Sequence, residues 1–264
     1  MLIDLVKKQI IVRQSDPTHV NAALLLILLL LALAQHSNVY AAKSTQVVRV
    51  IDGDTVILFG GQTVRLLGIN TPEIGYRGKP NEAGAMTAKD DLKSLVLHKK
   101  IYIERDLEQV DQYGRTLAYL FLENGQHINE TLLRRGMATL SLHPPNLKYA
   151  KPLQLAQHQA EKSRLGLWAL EAYQPKKVES IAAEKQTTWG RFDARVQTIT
   201  NSNKGSKLWL GAKIYIWISA ANKRYFSELT RYKGRQIEVR GWPTKRGNNW
   251  SISARHSSQL LIKP

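Results

Sequence analysis

The 264-residue sequence predicts a mainly β protein with inserted helices, an α+β chain built as two small barrels of the OB type in succession. Three observations carry this. Short apolar segments separated by turn residues begin near Gln46 and number five before residue 123, with helical patterns between and after them. A polar stretch at 171–188 then interrupts the pattern. From Trp189 the β pattern returns with a similar order of elements.

In chain order, Gln46–Ile51 and Thr55–Phe59 read as strands around Asp52-Gly53-Asp54, and Gly60-Gly61 turns the chain into a third strand over Thr63–Ile69. Ala85, Ala88, Leu92, Leu95 and Val96 recur at helical spacing, which predicts a helix over 82–97. Ile101–Glu104 and Arg115–Leu122 read as two further strands. Asn129–Arg135, closed by Gly136, and Pro152–Arg164, closed by Gly166, read as helices, the second with proline in its first turn. After the 171–188 stretch, read as a partly helical linker, strands are expected at 192–200, 207–210, 213–218, 236–242 and 249–254. A short helix over 223–232 is expected between the third and fourth of these.

The first 41 residues are a separate matter. Lys7, Lys8 and Arg13 precede an apolar run from Val20 to Ala34, and Val39-Tyr40-Ala41 supplies the small-x-small pattern that signal peptidase accepts. The run is short of the roughly 20 apolar residues of a permanent membrane span. Residues 1–41 are therefore read as a signal peptide cleaved after Ala41, with an uncleaved signal anchor and membrane tether as the alternative. The mature chain is expected to be exported: periplasmic, secreted or held at the cell envelope. The domains are then 42–170, a linker at 171–188, and 189–264.

The formal net charge of +17 favours a polyanionic partner, nucleic acid first and an anionic membrane surface second. The excess is uneven. Trp189–Pro264 holds fifteen Lys and Arg against three Asp and Glu, whereas 43–170 holds seventeen against thirteen. The absence of cysteine removes disulfides, thiolate metal sites and a cysteine nucleophile together. The seven histidines lack the paired helical spacing of a zinc site, and Ser141 and His143 lack a nucleophile elbow, so both are read as surface or packing residues.

Three stretches stand out within 42–170. Asp52-Gly53-Asp54 sets two acids around a glycine at a strand junction. Arg65 lies in an otherwise apolar strand that runs on into Asn70-Thr71-Pro72-Glu73. Asp111-Gln112-Tyr113-Gly114-Arg115 opens a later strand on an arginine. Each alone has a plain structural account as a turn, a loop or a strand entry. Together, two arginines, a carboxylate and a second acid cluster suit phosphodiester cleavage: cations neutralise charge building on the phosphate while a carboxylate handles the attacking water.

In these motifs, with Asn129-Glu130-x-Leu132 and the closing Leu165-Gly166-Leu167-Trp168, the stretch from Val47 to Trp168 resembles a staphylococcal nuclease (thermonuclease) domain. The resemblance implies a five-stranded OB barrel with three helices, one Ca2+, and endonucleolytic attack on DNA and RNA that breaks the bond between phosphorus and the 5′ oxygen. By match of motif, Arg65 and Arg115 would clamp the scissile phosphate and Glu73 would activate or orient water. Asp54, Asn70 and the Thr71 carbonyl would hold the metal, and Tyr113 would contact phosphate. Two departures matter. Asn70 stands where the family carries aspartate, so the site has one negative charge fewer. The segment 137–145 lacks the tyrosines that pack a nucleotide in the type enzyme.

In the basic second half, Trp209, Tyr215, Trp217, Tyr225, Trp242 and Trp250 alternate with lysines and arginines, a pattern suited to stacking bases while cations follow the backbone. Trp217 and Trp242, inside apolar strands, are expected in the core. The reading is an exported, calcium-dependent endonuclease acting on DNA and/or RNA, with a C-terminal nucleic-acid-binding module. Its rival is a catalytically weak or inactive nucleic-acid-binding protein on a nuclease fold.

Overall fold

The computed structural model describes residues 44–263. The signal or anchor segment 1–41 and its cleavage site lie outside the described residues. Strands β1 (Ser44–Val50), β2 (Thr55–Leu58), β3 (Thr63–Leu66), β5 (Lys100–Glu104) and β6 (Thr116–Leu122) close a five-stranded barrel in the order β1-β2-β3-β6-β5. All neighbours in it are antiparallel except β3 and β6, which are parallel. Closure depends on β1, which pairs with β5 through Ser44–Gln46 and with β2 through Val47–Val50, with a bulge at Val48. The two-residue period is plain in β3, where Val64 and Leu66 are buried and Thr63 and Arg65 face the other way.

The third strand is shorter than the 63–69 expected. Gly68 adopts a left-handed φ of 77°, a conformation that costs glycine least, and the chain leaves the barrel there. Gly68–Asn70 becomes a separate strand, β4, antiparallel to a strand over Thr139–Ser141 (β7) that the sequence pattern did not suggest. This exit carries Asn70 and Thr71 back over Asp54.

Helix α1 (Ala85–Val96) buries Ala85, Ala88, Leu92, Leu95 and Val96, the stripe its spacing predicts. It begins three residues later than expected because Gly84 sits at φ 87° and the Glu82 side chain is engaged elsewhere. Helix α2 (Ile128–Arg134) is tied to the barrel by fully buried Asn129, whose Oδ1 accepts from the Leu120 N–H (3.0 Å) and whose Nδ2 donates to the Leu67 carbonyl (2.8 Å). Helix α3 (Ala150–Lys162) accommodates Pro152 in its first turn, where backbone N–H groups have no helical acceptor.

The second half holds two sheets. One runs β10 (Thr198–Ser202), β11 (Gly205–Trp209), β12 (Ile214–Ser219), β15 (Asn249–Ser253), β14 (Pro243–Arg246). The other runs β16 (Leu260–Ile262), β13 (Gln236–Gly241), β9 (Gly190–Arg195), β8 (Lys176–Lys177). The single strand expected over 192–200 bends between them: Val196 N–H bonds to Arg235 in one sheet and Gln197 N–H to Trp209 in the other. The chain bends again at Trp242, between β13 and β14. Followed through these bends, the pairings repeat the order of the first barrel, again with a parallel pair, β12 and β15, between the third and fifth strands. The helix expected over 223–232 is instead two 3-10 turns, Ala220–Tyr225 and Leu229–Tyr232, because Phe226 between them is extended and buried in the core. Among the described residues no helix is long and apolar enough to cross a membrane.

The segment 171–188 carries a 3-10 turn (Glu171–Tyr173), strand β8 parallel to β9, and a helical turn α4 (Ser180–Ala183), and it buries Tyr173, Val178 and Ile181. Next to it the two halves meet around a buried charge cluster. Glu238 accepts from Arg191 Nε (2.8 Å) and Nη2 (2.9 Å) and from Arg240 Nε (2.6 Å), and Glu161 of α3 accepts from Nη2 of both arginines (2.6 and 2.8 Å). Both guanidiniums lie against the Trp168 ring, Arg191 at 5.5 Å and Arg240 at 5.8 Å from its centroid. Two arginines of the basic half are therefore interior cations, engaged with carboxylates and unable to serve a polyanion.

Candidate active site

Asp54, Arg65, Asn70 and Thr71 converge where β2, β3 and β4 meet. Asp54 is 4% exposed. Its Oδ2 accepts from the Thr71 N–H (2.9 Å) and hydroxyl (3.1 Å) and lies 3.0 Å from Arg65 Nη2, while Oδ1 accepts from the Thr55 hydroxyl (3.1 Å). Asn70 Oδ1 accepts from Arg65 Nη2 (3.2 Å), and Asn70 Nδ2 donates to the Thr71 carbonyl (3.1 Å). Arg65 Nη1 donates to the carbonyls of Leu66 (2.6 Å) and Ile69 (3.0 Å). This arginine, half-buried in an apolar strand, thus finds the partners such burial demands. Gly53 permits the convergence: a Cβ there would lie 2.8 Å from the Thr71 side chain.

Asp52 Oδ1 accepts from the Asp54 N–H (3.0 Å). Burial, then the neighbouring Asp54 charge, pushes the Asp52 carboxyl above the usual carboxylate range. Glu73 is exposed at the rim. Desolvation, then the charges of Asp54, Asp52 and Glu82, raise its carboxyl as well. Its backbone is clamped reciprocally: Glu73 N–H donates to Glu82 Oε2 (2.9 Å), and Glu82 N–H donates to the Glu73 carbonyl (2.9 Å).

Arg115 enters from the start of β6. Asp111 accepts from its Nε (2.7 Å) through Oδ2 and from its N–H and that of Tyr113 (both 2.9 Å) through Oδ1. Partial desolvation opposes ionisation of Asp111, but these hydrogen bonds outweigh it and hold the carboxyl below its ordinary value. The Arg115 guanidinium sits 5.5 Å from the ring of Tyr113, which is 75% exposed. Arg65, Tyr113 and Arg115 line one open cleft of about 440 Å³.

The same cleft is lined by His143, read from the sequence as a packing residue, and by Arg255 from the second half of the chain. Arg255 Nη1 contacts the His143 ring. His143 keeps one edge open to solvent, yet desolvation, then Arg255 and Arg65, push it down to about 4 and leave the imidazole neutral near pH 7. Asp52 and Asp111 lay inside the quoted motifs but were given no role of their own. Glu82, His143 and Arg255 were not read as site residues, and Arg255 sits 112 residues from His143 and carried no local signal.

A family profile described as Staphylococcal nuclease homologue matches residues 63–170. A thermonuclease of Staphylococcus hyicus is 36% identical over 130 residues, covering 48% of this chain and 76% of that protein. The chain belongs to the staphylococcal nuclease family. Membership places it among nuclease-type hydrolases. Endonuclease YncB of Bacillus subtilis is 35% identical over 133 residues (47% of this chain, 61% of the relative), and a micrococcal nuclease of Shigella flexneri is 32% identical over 139 residues (47% and 72%). The profile match ends at residue 170, just past Trp168, whose ring both interior arginines of the following half approach.

Among the described residues, no three of His, Cys, Asp and Glu cluster to hold a metal. The donor set expected from sequence differs in kind: one carboxylate (Asp54), one side-chain amide oxygen (Asn70) and one backbone carbonyl (Thr71). All are hard oxygens suited to calcium, and the Asp52 carboxyl, raised by burial and by the Asp54 charge, sits beside them. The residues fit such an ion.

Proposed function

We propose that this chain is an exported, calcium-assisted endonuclease that hydrolyses phosphodiester bonds of DNA and/or RNA and retains its substrate through the basic C-terminal half. The observation carrying the reading is the shared cleft, in which Arg65 and Arg115 reach one space from different strands beside the Asp54, Asn70 and Thr71 oxygens. Asp54, Asn70 and Thr71 would hold calcium, which supplies fixed positive charge against the phosphate.

The chain's own residues supply the rest. Arg65 exchanges part of its hold on Asn70 and the loop carbonyls for non-bridging phosphate oxygens. Arg115, kept in orientation by Asp111 through Nε, offers its terminal amino groups to the same phosphate, and Tyr113 adds a hydroxyl at the rim. Glu73, whose carboxyl is raised above the usual carboxylate range by desolvation and then by the charges of Asp54, Asp52 and Glu82, accepts a proton from the attacking water. The new bond joins water oxygen to phosphorus, and the bond from phosphorus to the 5′ oxygen breaks, that oxygen leaving as a hydroxyl with a proton taken from solvent. In the second half, Lys207 Nζ lies 5.5 Å from the half-buried Trp209 ring, a pairing of cation and aromatic group that supports a nucleic-acid face on an OB-like module, whereas Tyr215 and Trp250, which the sequence offered for stacking, are buried.

The test is cleavage of single-stranded and duplex DNA and of RNA, with calcium and with chelator. Glu73→Gln, Arg65→Ala and Arg115→Ala should each cost on the order of a hundredfold to a thousandfold in rate. Undiminished turnover in folded Glu73→Gln protein refutes the assignment. Tight binding without calcium-dependent cleavage would establish the rival reading, a binding protein on this fold, which the missing carboxylate at Asn70 favours.

A further inference from the structure

The catalytic cleft does not end at the boundary of the nuclease family match. Ser141, His143 and Arg255 line both it and an adjoining cavity of about 290 Å³. The second cavity is walled on one side by Leu140 and Leu142 of the nuclease half and on the other by Trp242, Thr244 and Arg246 of the basic half. Trp242, expected in the core, is 39% exposed, because the chain bends there from one sheet into the other. Arg246 and Arg255 are exposed, and neither pairs with a carboxylate among the described residues. Arg191 and Arg240, by contrast, are locked in the interior cluster, which fixes the basic half against α3 and so fixes Arg255 at the cleft.

We propose that the polynucleotide leaves the catalytic cleft past Arg255 and enters this second cavity, where Arg255 and Arg246 take flanking phosphates and Trp242 stacks on a flanking unpaired base. The chemistry points to single-stranded nucleic acid. Stacking on a side chain needs an exposed base face, and two cavities of this size in series fit a few nucleotides of one strand. An unpaired arginine held against a neutral imidazole, beside an exposed tryptophan and a second free arginine, matches alternating phosphate and base. The basic half thereby becomes part of the substrate-binding cleft itself. The inference rests on the nuclease reading for calling the first cavity catalytic, and its test separates the two.

Binding of a labelled single strand of about a dozen nucleotides is measured in chelator, over a range of salt, for the full-length protein. Arg246→Ala/Arg255→Ala should flatten the log–log salt dependence by about 1.4, from roughly 0.7 per lost phosphate contact. Trp242→Ala should weaken binding on the order of tenfold with the salt slope retained. Arg255→Lys should restore most of the slope, which a merely misfolded variant would not. Lys204→Ala/Lys233→Ala, which removes the same two charges from exposed residues lining neither cavity, is the control. Wild-type slope and affinity in both groove variants overturn the proposal. Cleavage of a nitrophenyl ester of a single nucleotide, read separately, reports the nuclease assignment. Failure there with the groove effects intact sinks the catalytic reading and leaves the groove, and the reverse pattern sinks the groove alone.

Discussion

Glu238→Gln tests the buried charge cluster around which the two halves meet. Glu238 is 4% exposed and accepts three hydrogen bonds, two from Arg191 and one from Arg240. Glutamine keeps one acceptor but replaces the other with an amide that faces guanidinium donors, and it removes the charge. Two buried arginines then share Glu161 alone, whose side chain is 22% exposed. Breaking a buried pair by removing one partner costs about 3–5 kcal/mol. At about 2–4 °C per kcal/mol for a chain of this size, Tm should fall by roughly 6–20 °C. The assay is thermal melting followed by circular dichroism. The pH dependence has a defined sign. Burial alone would raise the Glu238 carboxyl, but hydrogen bonds from Arg191 and the charges of Arg240 and Arg191 hold it below its ordinary value. A depressed carboxyl contributes stability above its unfolded value and loses it as pH falls through the folded one. The difference in Tm between wild type and variant should therefore be full near pH 7 and shrink on acidification below about pH 4. A Tm change under about 2 °C at neutral pH, or a difference that grows on acidification, refutes the account.

Asn70→Asp places a second anionic oxygen beside Asp54 and should tighten calcium binding on the order of tenfold, as titration calorimetry would read; equal or weaker affinity means that position 70 does not touch the ion. Gly53→Ala drives a methyl to 2.8 Å from the Thr71 side chain. It should weaken calcium binding and turnover together, and unchanged values of both would remove Gly53 from the argument. Exported protein should begin at Ala42, which mass spectrometry of the mature chain decides; an intact Met1 on membrane-bound material would establish the anchor instead.

Much of the nuclease half was legible because its signals are local. The two-residue alternation of Thr63–Leu66 and the helical stripe from Ala85 to Val96 depend on burying one face, and any fold that buries them leaves that period in the sequence. The motif residues Asp54, Arg65, Asn70, Thr71, Tyr113 and Arg115 were legible as a set through their resemblance to a known family, and Arg65 also stands out as a cation inside an otherwise apolar strand. What stayed hidden depends on residues far apart in sequence. Averaged polarity concealed Tyr173, Val178 and Ile181, three apolar positions that pin the 171–188 segment to the second half. Charge counting treated Arg191 and Arg240 like every other cation, although Glu161 and Glu238 draw both into the interior. Trp242 sits in an apolar stretch and reads as core, but a bend between two sheets turns it to solvent. The identity of Arg255 said nothing of His143, 112 residues earlier. Their meeting is set by how the two halves pack, and packing is a property of surfaces that no local pattern encodes. The sequence alone determined the barrel and the excess of positive charge, and it singled out the motif residues proposed to carry the chemistry. Only the tertiary structure decided which of those charges are spent inside and which reach the cleft.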